Sequence, residues 1–368
     1  VTVAGLRVLM TSDAVGGVWQ YATDLTRGLV ALGAEVVLAV MGPSPSAAQR
    51  AAADAAGATL ADTGLALDWL APSADAVLRA GEAIADLAAR HRADVVHLNA
   101  PSLAAEAVFD APVVAVTHSC VATWWEAVRG DALPADFRWR TSLTAAGLAA
   151  ADRVVAPSAA FADAVRRRYG METPPRVVHN GRAPLPLAVR PMHDFAFTAG
   201  RLWDEGKNLR VLDAAAARLA VPLRAAGPLV GPNGAGVELL HIHPLGSLDE
   251  AGLARQLAAR PVFVSAARYE PFGLAVVEAA AAGCALVLSD IPTFRELWEG
   301  AAIFVHPDDE AGFARAVDAL VGDTAGRLAA GRAASRLARR YTPAAMAAGM
   351  VSVYRDLAPA AGKARVAA

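Results

Sequence analysis

Short, β-branched apolar runs alternate along this chain with longer stretches whose apolar residues recur at three- and four-residue spacing. The first pattern predicts buried parallel strands and the second the helices that cover them, so the chain reads as α/β layers. In the first half, strands are predicted over Leu6–Met10, Glu35–Val40, Val95–Leu98, Val113–Thr117, Arg153–Ala156 and Arg176–Val178. Helices are predicted between them over Val18–Leu32, Ala74–His91 and Ala159–Tyr169. A proline-rich stretch without periodicity, Asn180 to His193, reads as a linker.

The alternation then restarts. Phe195–Thr198, Leu223–Ala225, Leu239–His241, Val262–Val264, Leu286–Leu288 and Ala302–Phe304 read as strands, with helices such as Leu209–Leu219 and Glu250–Ala259 between them. Helical material runs from Glu310 to the end, kinked near Pro343. Two doubly wound units follow from this pattern, residues 1–182 and 183–342, with a last helical segment over 343–368. Such units leave a central cleft at their strand C-terminal ends, where ligands bind in open α/β sheets.

Composition narrows the class. The 368 residues suit two domains. The longest apolar run, Phe272 to Leu288, is interrupted by Glu278 and falls short of the roughly 20 residues a membrane span needs. No signal-peptide pattern opens the chain, and Cys120 and Cys284 have no metal-type spacing. These features predict a cytoplasmic protein with free thiols. A net charge of −2 gives no general attraction to nucleic acid.

The chemistry concentrates in a few segments. In Tyr269-Glu-Pro-Phe-Gly-Leu-Ala-Val-Val-Glu278, a loop carboxylate is followed by a sharp turn and a helix carrying a second carboxylate. Free helix N-terminal N–H groups attract phosphate, and carboxylates beside them hold sugar hydroxyls. Gly16-Gly17 precedes a helix after the first strand, either as a plain tight turn or as a place for close backbone approach to an anion. Arg201 and Lys207 bracket the loop after the first strand of the second half. They either reach phosphate oxygens or are neutralised by Asp204 and Glu205. His118, at a strand end, is either structural or a hydrogen-bond donor to a sugar hydroxyl; His97 reads as structural.

Trp124, Trp125, Arg129, Arg138 and Trp139 cluster in a loop-like stretch that caps the sheet, stacks on an acceptor or docks peripherally on a membrane. The chain lacks D-x-D, zinc-type spacing, G-x-G-x-x-G and G-x-S-x-G. A departing diphosphate would therefore be stabilised by cations and helix ends, with no metal and no other cofactor expected.

In combination these segments resemble glycosyltransferase family 4, retaining nucleotide-sugar transferases of the GT-B fold. The resemblance runs in order through Gly16-Gly17, Thr117-His118, Ala156-Pro157-Ser158, Asn180-Gly181, Gly200-Arg201 with Lys207, and Glu270 to Glu278. It continues through Ala282-Gly283-Cys284 and Asp290-Ile291-Pro292 to Glu296. It implies a nucleoside diphosphate sugar as partner, of the UDP-glucose type or guanosine diphosphate mannose. Its diphosphate would lie on Arg201 and Lys207 and its ribose on Glu278. Its sugar would face Glu270, His118 and the N–H groups of Phe272, Gly273 and Leu274, while Gly16-Gly17 close over the phosphates.

It further implies that the last helix, 343–368, crosses back onto the first unit, and that transfer proceeds with retention to a carbohydrate, lipid-linked or small-molecule acceptor. Trp124, Trp125, Arg129 and Trp139 lie outside the family pattern and are the residues expected to bind that acceptor. Gly227 to Gly236 replaces the helical insertion usual in the family. A 2-epimerase of the same fold and a binding subunit without turnover are the rivals.

Overall fold

The computed structural model describes residues 3–357. Its first sheet comprises β1 (Arg7–Asp13), β2 (Glu35–Met41), β3 (Ala58–Asp62), β4 (Val95–Leu98), β5 (Val113–Val116), β6 (Arg153–Ala156) and β7 (Arg176–Val177), all parallel, in the order β3-β2-β1-β4-β5-β6-β7. It is covered by α1 (Gly17–Ala31), α2 (Ala47–Ala55), α3 (Ala74–Arg90), α4 (Val121–Val128), α5 (Ala135–Ala150) and α6 (Ala159–Tyr169). The inner strands are buried on both faces, as their near-continuous Val and Leu runs require, while the edge strand β3 is half-exposed and β7 exposed.

The second sheet comprises β8 (Ala196–Ala199), β9 (Leu223–Ala226), β10 (His243–Pro244), β11 (Val262–Ser265), β12 (Ala285–Ser289) and β13 (Ala302–Val305), in the order β10-β9-β8-β11-β12-β13. Its helices are α7 (Leu209–Ala216), α8 (Glu250–Ala258), α9 (Leu274–Ala281), α10 (Pro292–Trp298), α11 (Glu310–Gly322) and α12 (Thr324–Ala338). Each sheet reverses its winding beside its first strand, between β1 and β4 and between β8 and β11. These are the switch points at which loops from opposite winding directions part and leave a crevice.

The last described helix, α13 (Pro343–Arg355), packs on α1. Met346, Met350 and Tyr354 complete the core formed by β1, β2 and α1. The segment is broken before Pro343 and not merely kinked: Thr342 caps the Ala345 N–H and Pro343 takes the first helical turn, where its missing N–H is not needed. Residues 358–368 lie outside the described residues. Gly181 passes under this return, where a Cβ would sit 2.2 Å from the Thr342 carbonyl oxygen.

Some local expectations are corrected. Leu239–His241 is not a strand: the Asp213 carboxylate accepts the N–H groups of Leu240, His241 and Ile242 at 2.9–3.0 Å, so these amides are taken by a side chain and not by a ladder. The strand instead starts at His243, two residues past the expected end, and contains Pro244, which an edge position tolerates. Trp124 and Trp125 lie not in a loop but in α4, where Cys120 stands at the N-cap and its Sγ accepts the Thr123 N–H. Trp139 and Arg138 lie in α5. The half-exposed edge strand β3 and the helix α2, opened by a Ser46/Gln49 capping box, have too little apolar pattern to have been predicted. Gly227–Gly236 forms a tight turn closed by a bridge between Val230 and Gly236.

Candidate active site

The two switch points face each other. From the first sheet, β1 delivers Asp13 and the Gly16-Gly17 turn, β4 delivers Asn99, and β5 delivers His118. From the second, β8 delivers Arg201 and Lys207, while β11 delivers the Glu270 loop and α9. A Cβ on Gly16 would lie 3.8 Å from Arg201 Nη1, and one on Gly17 would lie 3.8 Å from Leu274 Cδ1. Neither glycine has a positive φ, so their use here is to keep backbone close to the opposite domain.

The Glu270 segment is built as its residues dictate. Gly273 takes φ 92° at the N-cap of α9, a left-handed conformation that favours glycine. The N–H groups of Phe272, Gly273 and Leu274 find no acceptor among the described residues. They form the open N-terminal end of a helix, with its partial positive charge. Glu270 is ion-paired with Lys207, and the space around the two is only about 20 Å³.

Asp204 holds the cationic loop in place. It accepts from Arg201 Nη2 at 3.0 Å, from the Trp124 indole at 3.0 Å and from the Gly206 N–H at 2.9 Å. Burial opposes its charge, yet Arg201 and Lys207, with these hydrogen bonds, hold the carboxyl below its ordinary range. Trp124 is therefore a strut between α4 and the Arg201–Lys207 loop. Arg129 pairs with Glu205 across the same gap at 2.6 Å. Trp125 stacks at 5.6 Å on Phe137, and Trp139 carries the Arg140 guanidinium at 4.2 Å.

His118 is wired differently from the sequence expectation of a donor toward sugar. The Asn99 side-chain N–H₂ donates to the Thr11 carbonyl, which leaves Asn99 Oδ1 to accept from His118 Nε2 at 2.8 Å. The other ring nitrogen, Nδ1, is then an acceptor. Desolvation, with His97 nearby, pushes the His118 pKa down to about 3, so the ring is neutral. His97 is structural: it is fully buried and accepts the Tyr354 hydroxyl at 2.6 Å through Nδ1.

Glu278 lies outside the lining of the large interdomain cavity, with Oε1 committed to Arg182 and Oε2 without a partner among the described residues. Its Oε1 accepts from Arg182 Nε at 2.6 Å, and Arg182 also donates to Asp24 of α1 at 3.2 Å and Glu250 of α8 at 2.9 Å. Arg182 is 5% exposed and Glu278 11%. Burial is the main force raising the Glu278 pKa; Arg182 opposes it, and Glu250 and Asp24 reinforce it. Sequence reasoning missed Arg182 and Asn99, and it gave Asp204 only as a neutraliser of Arg201 and Lys207. Asn180-Gly181 flagged the neighbourhood of Arg182, and strand-end position flagged that of Asn99. Among the described residues no group of three or more His, Cys, Asp or Glu is placed to hold a metal ion.

The paired sheets and the facing loops define a GT-B glycosyltransferase, and comparison with known proteins agrees. Residues 15–183 match the family model "Glycosyltransferase Family 4", and residues 194–323 match "Glycosyl transferases group 1". The chain belongs to glycosyltransferase family 4.

It is 32% identical over 130 residues to a phosphatidyl-myo-inositol mannosyltransferase of Mycobacterium leprae, covering 34% of this chain and 35% of that one. The Mycobacterium tuberculosis protein of the same name (strain H37Rv) is 34% identical over 137 residues, with the same coverage. The match thus spans about a third of the length of these relatives. Among solved structures, sucrose-phosphate synthase from Thermosynechococcus elongatus superposes with a TM-score of 0.76 at 20% identity, covering 96% of this chain and 99% of that one. Anabaena HepE in complex with UDP-glucose superposes with a TM-score of 0.72 at 18% identity, covering 96% and 100%.

Proposed function

We propose that this glycosyltransferase moves a hexose from a nucleoside diphosphate sugar to a hydroxyl acceptor, with retention at the anomeric carbon and without a metal. The observation that carries the reading is the meeting of Arg201 and Lys207 with Glu270 and the free N–H groups of Phe272–Leu274, opposite Gly16-Gly17. In the reaction the C1–O bond to the diphosphate breaks while C1 bonds to the acceptor oxygen. Negative charge grows on the leaving diphosphate, where fixed cations and amide dipoles stabilise it. The departing phosphate takes the acceptor proton on the same face of the sugar. Glu270, released from Lys207, orients the sugar and is not a covalent nucleophile. His118 Nδ1 accepts a hydrogen bond from a sugar hydroxyl, and Glu278 holds the ribose.

UDP-glucose is the donor of first choice, supported by its presence in the HepE complex; the names of the mycobacterial relatives favour a mannosyl donor as second choice. Incubation with each donor, followed by NMR of the anomeric proton of the product, tests the reading. An α-linked product from an α-donor is expected. An inverted product or a glycosyl–Glu270 adduct contradicts it. Epimer formation from donor alone would transfer the protein to the 2-epimerase class.

A further inference from the structure

A cavity of about 790 Å³ lies between the two domains on the side of α4 and α5. Its floor at the strand ends is polar, with Asp13, Asn99, His118 and Arg201. Its outer part is walled by Trp69, Trp125, Phe137, Trp139, Leu67 and Leu143. A sugar ring bound there would need hydrogen-bond partners around its whole edge, and the outer wall offers few, because its polar groups are already committed. The Trp124 and Trp125 indole N–H groups donate to Asp204 and Asp131. Arg140 is spent on the carbonyls of Asp68 and Ala71, and Arg129 on Glu205. The Asp68 carboxylate takes the Ser102 hydroxyl and the Trp69 N–H. What this wall presents to a ligand is mainly ring face and aliphatic surface.

We infer that the acceptor is a hydroxyl compound built on an apolar ring skeleton, a phenol or ring alcohol, whose hydroxyl reaches the polar floor while its rings fill the outer cavity. This rests on the transferase reading above and names its second substrate. The acceptor oxygen bonds to the anomeric carbon, the bond from that carbon to the diphosphate breaks, and the hydroxyl proton leaves on the diphosphate. A phospholipid would bring a second anionic group beside the donor diphosphate, next to buried Asp13 and half-buried Asp68.

Calorimetric titration of the protein, loaded with UDP or GDP (whichever it binds), with naphthol, umbelliferone, maltose and phosphatidylglycerol vesicles tests this. Saturable binding of naphthol and umbelliferone is expected. Trp139→Ala should weaken it by about tenfold, in the range of a lost aromatic anchor, and Leu143→Trp should block it by filling the cavity. Nucleotide affinity, measured in parallel, reports that each variant is folded.

Binding of maltose or of vesicles in place of the ring alcohols overturns the inference. So does ring-alcohol binding that neither variant changes, which is surface adsorption. Intact nucleotide binding without any ring-alcohol response refutes this inference alone. A wild type that binds no nucleotide refutes the transferase reading beneath it.

Discussion

Arg182 Nε lies 2.6 Å from Glu278 Oε1, and the same guanidinium reaches Asp24 of the opposite domain. One buried cation therefore ties the carboxylate proposed to hold the donor ribose to the first helix of the N-terminal sheet. Removing it strands the buried Glu278 carboxylate and leaves buried Asp24 with only Arg27 and Gln20 as partners. Arg182→Met should lower the unfolding free energy by about 3–5 kcal/mol, the range for breaking a buried pair from one side, read by urea denaturation. Arg182→Lys should lose less, since it keeps the charge but not the three-way fork.

The same relationship sets a pH dependence. The Glu278 pKa is raised from 4.5, chiefly by burial, with Glu250 and Asp24 adding to the effect and Arg182 opposing it. As pH falls through that raised value the carboxylate takes a proton and becomes a poorer acceptor for ribose hydroxyls. Affinity for a nucleotide sugar, whose diphosphate does not titrate there, should fall as pH drops through a window above 4.5. Glu278→Gln should remove this window while weakening binding at neutral pH, as titration calorimetry at several pH values would show.

Lys207 and Glu270 are paired in the absence of donor, and both face the proposed reacting centre. Lys207→Ala should reduce kcat by roughly 10²–10³, the cost of losing one stabilising group at a developing anion. Glu270→Ala frees Lys207 for the diphosphate, so nucleotide affinity should hold or tighten while turnover falls. Steady-state kinetics beside nucleotide Kd separates the two outcomes, and a parallel loss of both quantities in Glu270→Ala would contradict the assigned roles.

His97 is buried as the neutral ring, with its pKa pushed down to about 4 by desolvation. A histidine whose folded pKa lies below its unfolded value costs stability as pH falls between the two. Unfolding free energy should therefore drop from about pH 6.5 towards pH 4 with a contribution of about 1.4 kcal/mol per pH unit. Denaturation midpoints across that range check this: His97→Gln should reduce the slope, with His118, whose pKa is also pushed down, supplying part of what remains.

The fold class could be read before any coordinates, because strands buried on both faces write near-continuous apolar runs and their covering helices do not. The turn from Glu270 to the α9 N-terminus was equally legible, since proline, glycine and an apolar helix follow one another in a local grammar. What escaped depends on distant partners. Asp24 and Arg182 are 158 positions apart and meet only when the cleft forms. The amides of Leu240–Ile242 look strand-like until Asp213 takes them. Trp124 and Trp125 interrupt the helical pattern of α4 because they face the cleft and Asp131, not a core. The polarity of His118 is set by Asn99, which only the pairing of β4 with β5 brings beside it.

In the proposed mechanism the second domain holds a nucleoside diphosphate sugar through Arg201, Lys207 and Glu278. Calorimetric titration of the protein with UDP-glucose and guanosine diphosphate mannose, with and without chelator, tests it most directly when repeated on Glu278→Ala. Saturable binding of one donor is expected, unchanged by chelator and weakened at least about tenfold, or about 1.4 kcal/mol, in the variant. Binding that vanishes with chelator, or that is indifferent to Glu278, would contradict it.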